Sequence, residues 1–100
     1  MSGMKMVMIV YNEAMDDEVM EVLEGCVMKN YTKIAGVLGK GTTSGTHLDN
    51  DVWPGKNNIL YVACEDSQAA RLMNCCGSLR RALGKEGIKA FVWDLKDMTA

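Results

Sequence analysis

Apolar residues along the chain fall into blocks with two different periods. Lys5 to Tyr11 (KMVMIVY) is a short apolar run of β-branched and long side chains, the signature of a strand. After it, Val19, Val22, Leu23, Cys26 and Val27 recur at three- and four-residue steps, the period of an amphipathic helix. Asp16, Asp17 and Glu18 occupy the first turn of that helix, where carboxylates suit the positive end of the dipole. Tyr31 to Gly39 predicts a second strand with Gly36 as a bulge, and Asn58 to Glu65 a third. Asp66 or Ser67 can cap a second helix, whose buried stripe is Ala69, Leu72, Met73, Cys76, Leu79 and Leu83. Gly84 and Gly87 punctuate its end, and Ile88 to Leu95 is the fourth strand.

The order is therefore βαββαβ. This is the ferredoxin-like, split-βαβ α+β arrangement, with a four-stranded antiparallel sheet and both helices on one face. One hundred residues make one domain, 1–100, with no repeats or linkers. A sheet covered on one face should alternate apolar and polar positions. Met6 to Val10, Ile59 to Cys64 and Ala90 to Trp93 do not alternate. Two helices cover one face only, and no chain is left for the other. The economical partner is another copy of the same molecule, packed sheet against sheet in a closed ring or dimer.

Residues 39–58 (GKGTTSGTHLDNDVWPGKNN) interrupt the regular pattern. A loop of this length in a compact domain is usually functional or disordered. Gly39, Lys40, Gly41, Thr42, Thr43 and Ser44 bring close-approaching backbone N–H groups, hydroxyls and a cation, the material of an anion cradle. The P-loop order is absent, and a strand rather than a helix follows. His47, Asp49 and Asp51 alternate, so an extended segment would present imidazole and two carboxylates on one face to a divalent metal. Trp53, Pro54 and Gly55 form a turn with an aromatic anchor.

Composition narrows the classes. A formal charge of −2 gives no basic footprint, which argues against nucleic acid. No apolar run approaches the roughly 18 residues of a membrane span, and the N-terminus lacks a signal-peptide pattern. A cytoplasmic location is expected, with Cys26, Cys64, Cys75 and Cys76 as reduced, buried thiols; the vicinal pair Cys75–Cys76 offers a redox-responsive alternative. Arg80, Arg81, Lys85 and Lys89 group around the end of the second helix. They read either as a solvated helix end or as a clamp for phosphate or carboxylate. No enzyme is expected. There is no Ser-His-Asp order, and the acylphosphatase-like chemistry known on this topology needs an arginine after the first strand, where the chain reads YNEAMDDE.

YTKIAGVLGKGTTSGTHLDNDVWPGKN, together with the closing strand IKAFVWDL, resembles the PII superfamily, specifically the divergent PII-like signalling proteins related to the nitrogen regulators and to CutA. The resemblance covers essentially the whole chain at the level of element order. It implies a homotrimer with sheets facing a central axis. It also makes residues 39–58 the mobile T-loop arm that reads an effector and touches a target, such as a membrane transporter. By position, Gly39 and Lys40 match the residues that begin the arm beside the phosphates, and Lys89 matches the phosphate-binding lysine of the last strand. Effectors implied are an adenine nucleotide (ATP, ADP or AMP) or a small anion, bound in clefts between subunits. Two departures stand out: Glu86 and Ile88 replace glycines of the turn before that lysine, and the arm has no tyrosine to accept a uridylyl group. The alternative reading is a divalent-metal binder or sensor connected with heavy-metal efflux, with His47 as ligand.

Overall fold

The computed structural model of the chain describes residues 3–39, 56–83 and 87–99. β1 (Met4–Asn12) runs through a 3-10 turn (Glu13–Met15) into α1 (Asp16–Gly25). β2 (Thr32–Leu38), β3 (Lys56–Glu65), α2 (Asp66–Ala82) and β4 (Ile88–Asp94) follow. The sheet order is β2-β3-β1-β4, and every neighbouring pair is antiparallel. The predicted ferredoxin-like fold is therefore the observed one.

Register explains why the strands look apolar on both faces. Val7, Ile9 and Tyr11 of β1 lie opposite Val62, Leu60 and Asn58 of β3, and opposite Val92, Ala90 and Ile88 of β4. This face packs on Val19 and Leu23 of α1 and Leu72 and Cys76 of α2 to form the core. The alternate residues form the other face in three cross-strand rows. Trp93, Met6 and Ala63 make one row, Phe91, Met8, Tyr61 and Thr32 the next, and Lys89, Val10, Ile59 and Ile34 the third. Phe91, Trp93 and Ile34 are each more than 40% exposed in the single chain. An apolar area this continuous is what a solvated monomer surface normally avoids.

The boundaries shift where local chemistry outweighs the pattern. β3 begins at Lys56, two residues before the expected Asn58, so the segment between β2 and β3 is shorter than 39–58. Neither Asp66 nor Ser67 caps α2; Glu65 does, in a capping box in which Gln68 Oε1 accepts the Glu65 N–H at 3.1 Å. Leu83, expected on the buried stripe, lies past the last helical residue and is half exposed. Gly36 is a bulge as expected: its φ is +71° and the register slips between Ile34 and Val37.

The largest local departure is Val27. Its spacing predicts a place on the buried stripe of α1, yet it is 61% exposed with φ +58°. The Met28 N–H reaches Leu23 O at 2.9 Å and the Val27 N–H reaches Glu24 O at 3.0 Å. That pair of bonds is the Schellman reversal, in which the residue just past the cap is left-handed and usually glycine. The stripe ends at Cys26 because the chain turns there.

Candidate functional site

The root of the β2–β3 hairpin is fixed by a polar cluster on the helix side of the sheet. Asp16 opens α1 and its Oδ1 receives three donors. The Tyr11 hydroxyl lies at 2.5 Å, Lys33 Nζ at 2.7 Å and Asn58 Nδ2 at 3.3 Å. Asn58 turns its own Oδ1 to the Gly36 N–H at 3.2 Å. One carboxylate thus joins β1, β2 and β3 to the start of α1, and the chain enters the 39–55 segment from the bulge the cluster holds. Lys33 and then Tyr11, both bonded to the carboxylate, hold the Asp16 carboxyl below its usual range. Burial, reinforced by the same hydrogen bond, pushes the Tyr11 phenol well above its ordinary 10.0. All buried polar side-chain atoms among the described residues have partners.

Gly39 follows β2 directly. A Cβ there would come within 2.7 Å of Asn57 Nδ2, so the position needs the smallest side chain while Asn57 stays in place. At the same end of the sheet, Gly87 leads into β4 with φ +97°, and a Cβ on it would meet Met15 Sδ at 2.7 Å. Its carbonyl accepts the Asn12 N–H at 2.8 Å, which binds the turn before β4 to the end of β1. Two residues later, Lys89 projects from the apolar face, opposite Val10.

α2 runs back to this same end, carrying Arg80 and Arg81 in its last turn. Arg81 folds along its own helix, with Nη2 donating to Ser78 Oγ at 3.2 Å. Both arginines stand on the helix side of the sheet, whereas Lys89 is on the other face. β2 and β4 are the two edge strands. Three strand spacings separate them, roughly 14 Å. A single chain therefore brings Gly39 and Lys89 to one end of the sheet but leaves them on opposite edges.

Of the other expected site residues, Lys40, Gly41, Thr42, Thr43 and Ser44 lie outside the described residues, as do His47, Asp49 and Asp51. Among the described residues no group of three or more His, Cys, Asp or Glu side chains could hold a metal ion. No helix among them is long and apolar enough to cross a membrane. The Asp16 cluster is not visible at the sequence level. The pattern assigns Asp16 to the helix dipole, a role it also fills, and nothing in the spacing of Tyr11, Lys33 and Asn58 reveals that they converge.

A search of curated proteins finds no match for the chain. Solved structures match throughout. The nitrogen regulatory PII-like protein CPII from Thiomonas intermedia K12, bound to ADP, AMP and bicarbonate, superimposes with a TM-score of 0.74 at 16% identity, covering 97% of this chain and 94% of that one. The apo form of the same protein gives 0.69 at 15% identity, with coverages of 92% and 88%. A protein from Thermus thermophilus described as PII-like gives 0.68 at 19% identity, with coverages of 94% and 87%. At these identities the likeness establishes the fold alone. The family follows from the sequence: the family model for nitrogen regulatory protein P-II matches residues 4–100, and the chain belongs to that family.

Proposed function

We propose that this PII-family protein is a homotrimeric regulator that binds an adenine nucleotide or small anion in clefts between its subunits. The observation that carries the reading is the unpartnered apolar face, with Lys89 at its edge and the root of the arm at the opposite edge of the same end. Covering that face with copies of itself brings a β4 edge toward a neighbour's β2 edge. Lys89 of one copy then faces Gly39, Lys40, Gly41, Thr42, Thr43 and Ser44 of the next. An ammonium opposite close-approaching backbone N–H groups suits phosphate or bicarbonate. Arg80 and Arg81 add positive charge at the same end. CPII, which shares the fold, was solved with ADP, AMP and bicarbonate bound, and this supports the choice of ligand class.

In this reading the arm between β2 and β3 is the output. The effector binds one arm conformation better than another, and the favoured conformation creates or hides a surface for a target such as a membrane transporter. Chemistry on the ligand is not required for that task.

Sedimentation and calorimetry test the proposal together. The expected species has about three times the 11.0 kDa protomer mass, and Trp93→Glu shifts it to the protomer. Heat is expected on titration with ADP, AMP, ATP or bicarbonate. Lys89→Ala should weaken nucleotide binding by about tenfold to a hundredfold, the worth of one charged hydrogen bond. A stable protomer at micromolar concentration would overturn the assembly, and heat from divalent ions alone would overturn the ligand class in favour of a metal.

A further inference from the structure

Four free cysteines are present, and three of them gather where α1 meets α2. Cys26 ends the last turn of α1, and its Sγ lies 3.4 Å from Cys75 Sγ in α2. Cys76 points into the core, and Cys64 is buried on β3. Successive side chains on an α-helix point about 100° apart, so the vicinal pair Cys75–Cys76 cannot close on itself while α2 is intact. The pair in reach of one another is Cys26 and Cys75, 49 positions apart in sequence.

We propose that Cys26 and Cys75 form a reversible intramolecular disulfide when the protein meets a hydroperoxide. The two sulfurs are already in contact, and bonding brings them from 3.4 Å to about 2.05 Å. Access is provided. Cys75 is partly exposed and lines an open groove between the helices, about 450 Å³ in volume, with Val22, Asn74, Ser78, Leu79 and Ala82. Cys26 is the buried, resolving partner beneath it.

The chemistry balances with the hydroperoxide as two-electron oxidant. The Cys75 thiolate attacks the outer peroxide oxygen, the O–O bond breaks, and water or an alcohol departs with a proton. Cys75 is left as a sulfenic acid. The Cys26 sulfur, giving up its proton, then attacks the Cys75 sulfur, the S–O bond breaks, and hydroxide takes that proton to leave as water. Two equivalents of a small thiol reverse the change by exchange. The bond closes a loop that contains β2, β3 and the whole segment between them, and it pins the end of α1 to the middle of α2. Neither the trimer nor the effector site enters this argument, and the two readings can fail separately.

The test uses the full-length protein, reduced and then exposed to hydrogen peroxide, with thiol counting and mass mapping of tryptic peptides without reductant. Two of the four thiols are expected to disappear, with a loss of two hydrogens in mass. A crosslink should join peptide 6–29 to peptide 72–80, and dithiothreitol should cleave it. Cys75→Ser should abolish the crosslink, whereas Cys64→Ser keeps it. Fragmentation of the linked peptide assigns the bond to Cys75 rather than Cys76 without relying on a variant of the buried Cys76. Four thiols surviving peroxide, oxidation of Cys75 without a crosslink, or a bond between two chains would each overturn the proposal.

Discussion

Asp16→Ala separates a helix-dipole carboxylate from a structural acceptor. The variant removes the acceptor shared by Tyr11, Asn58 and Lys33. Tyr11 is 1% exposed and Asn58 6%, so two buried donors lose a partner, at about 1–3 kcal/mol each. The Asp16 side chain itself is one-third exposed. Water can therefore enter where the carboxylate was, which favours the low end for both donors. The ion pair with Lys33, about one-third exposed on each side, adds at most about 1 kcal/mol. The expected loss is about 2–3 kcal/mol, or roughly 8–24 °C in Tm for a domain this size. Asp17→Ala is the internal control. Asp17 shares the first turn of α1 but is exposed, so its loss should cost only about 0.3–1 kcal/mol. Urea denaturation at one fixed protein concentration measures both variants, because association would otherwise shift the midpoints. A cycle with Tyr11→Phe should return a coupling of about 1 kcal/mol. If Asp16→Ala and Asp17→Ala lose the same amount, or the cycle shows no coupling, the cluster contributes nothing and Asp16 is only a dipole partner.

Two further outcomes follow from the same structure. Val27→Gly should stabilise the protein by about 0.5–1 kcal/mol, because relief of a left-handed β-branched residue outweighs the entropy glycine adds to the unfolded chain; a lower urea midpoint for this variant would show that Val27 carries no strain. Burial raises the Cys26 thiol to about 11 and the Cys76 thiol to about 12. Their folded values exceed the unfolded one, so their contribution is complete below about pH 8.5 and is lost as pH rises toward 11 and 12. Asp16 acts in the opposite sense: its lowered folded value gives stability that is present above about pH 4 and lost on further acidification. Midpoints measured from pH 3 to pH 11 should fall at both ends, and an alkaline limb that stays flat to pH 11 would contradict the buried thiols.

Element order was legible because period two and period 3.6 are properties of contiguous residues. Met6, Met8 and Val10 revealed their second apolar face for the same reason, without reference to the rest of the chain. What stayed hidden depends on where distant segments meet. Tyr11, Asp16, Lys33 and Asn58 come from four elements, and no local spacing encodes their common point. Val27 continued a helical pattern in sequence while the backbone had already reversed, since hydrogen bonds from residues 27 and 28 close the helix behind it. Cys26 and Cys75 show the same limit, as the sequence draws attention to the adjacent pair while the fold selects the remote one.

The placement of Gly39 and Lys89 carries this logic further. The proposed function takes both into one phosphate-binding site, yet the sheet order puts them on opposite edges, three strand spacings or roughly 14 Å apart. The β3 and β1 ladders lie between them and hold the two edges apart. The two statements are compatible when the site is shared by two copies, one giving its β4 edge and the other its β2 edge. On this proposal the site is completed by a second copy, so ligand affinity is expected to fall with dilution of the protein as the assembly dissociates. A nucleotide affinity that is independent of protein concentration through the dissociation range would overturn the shared site.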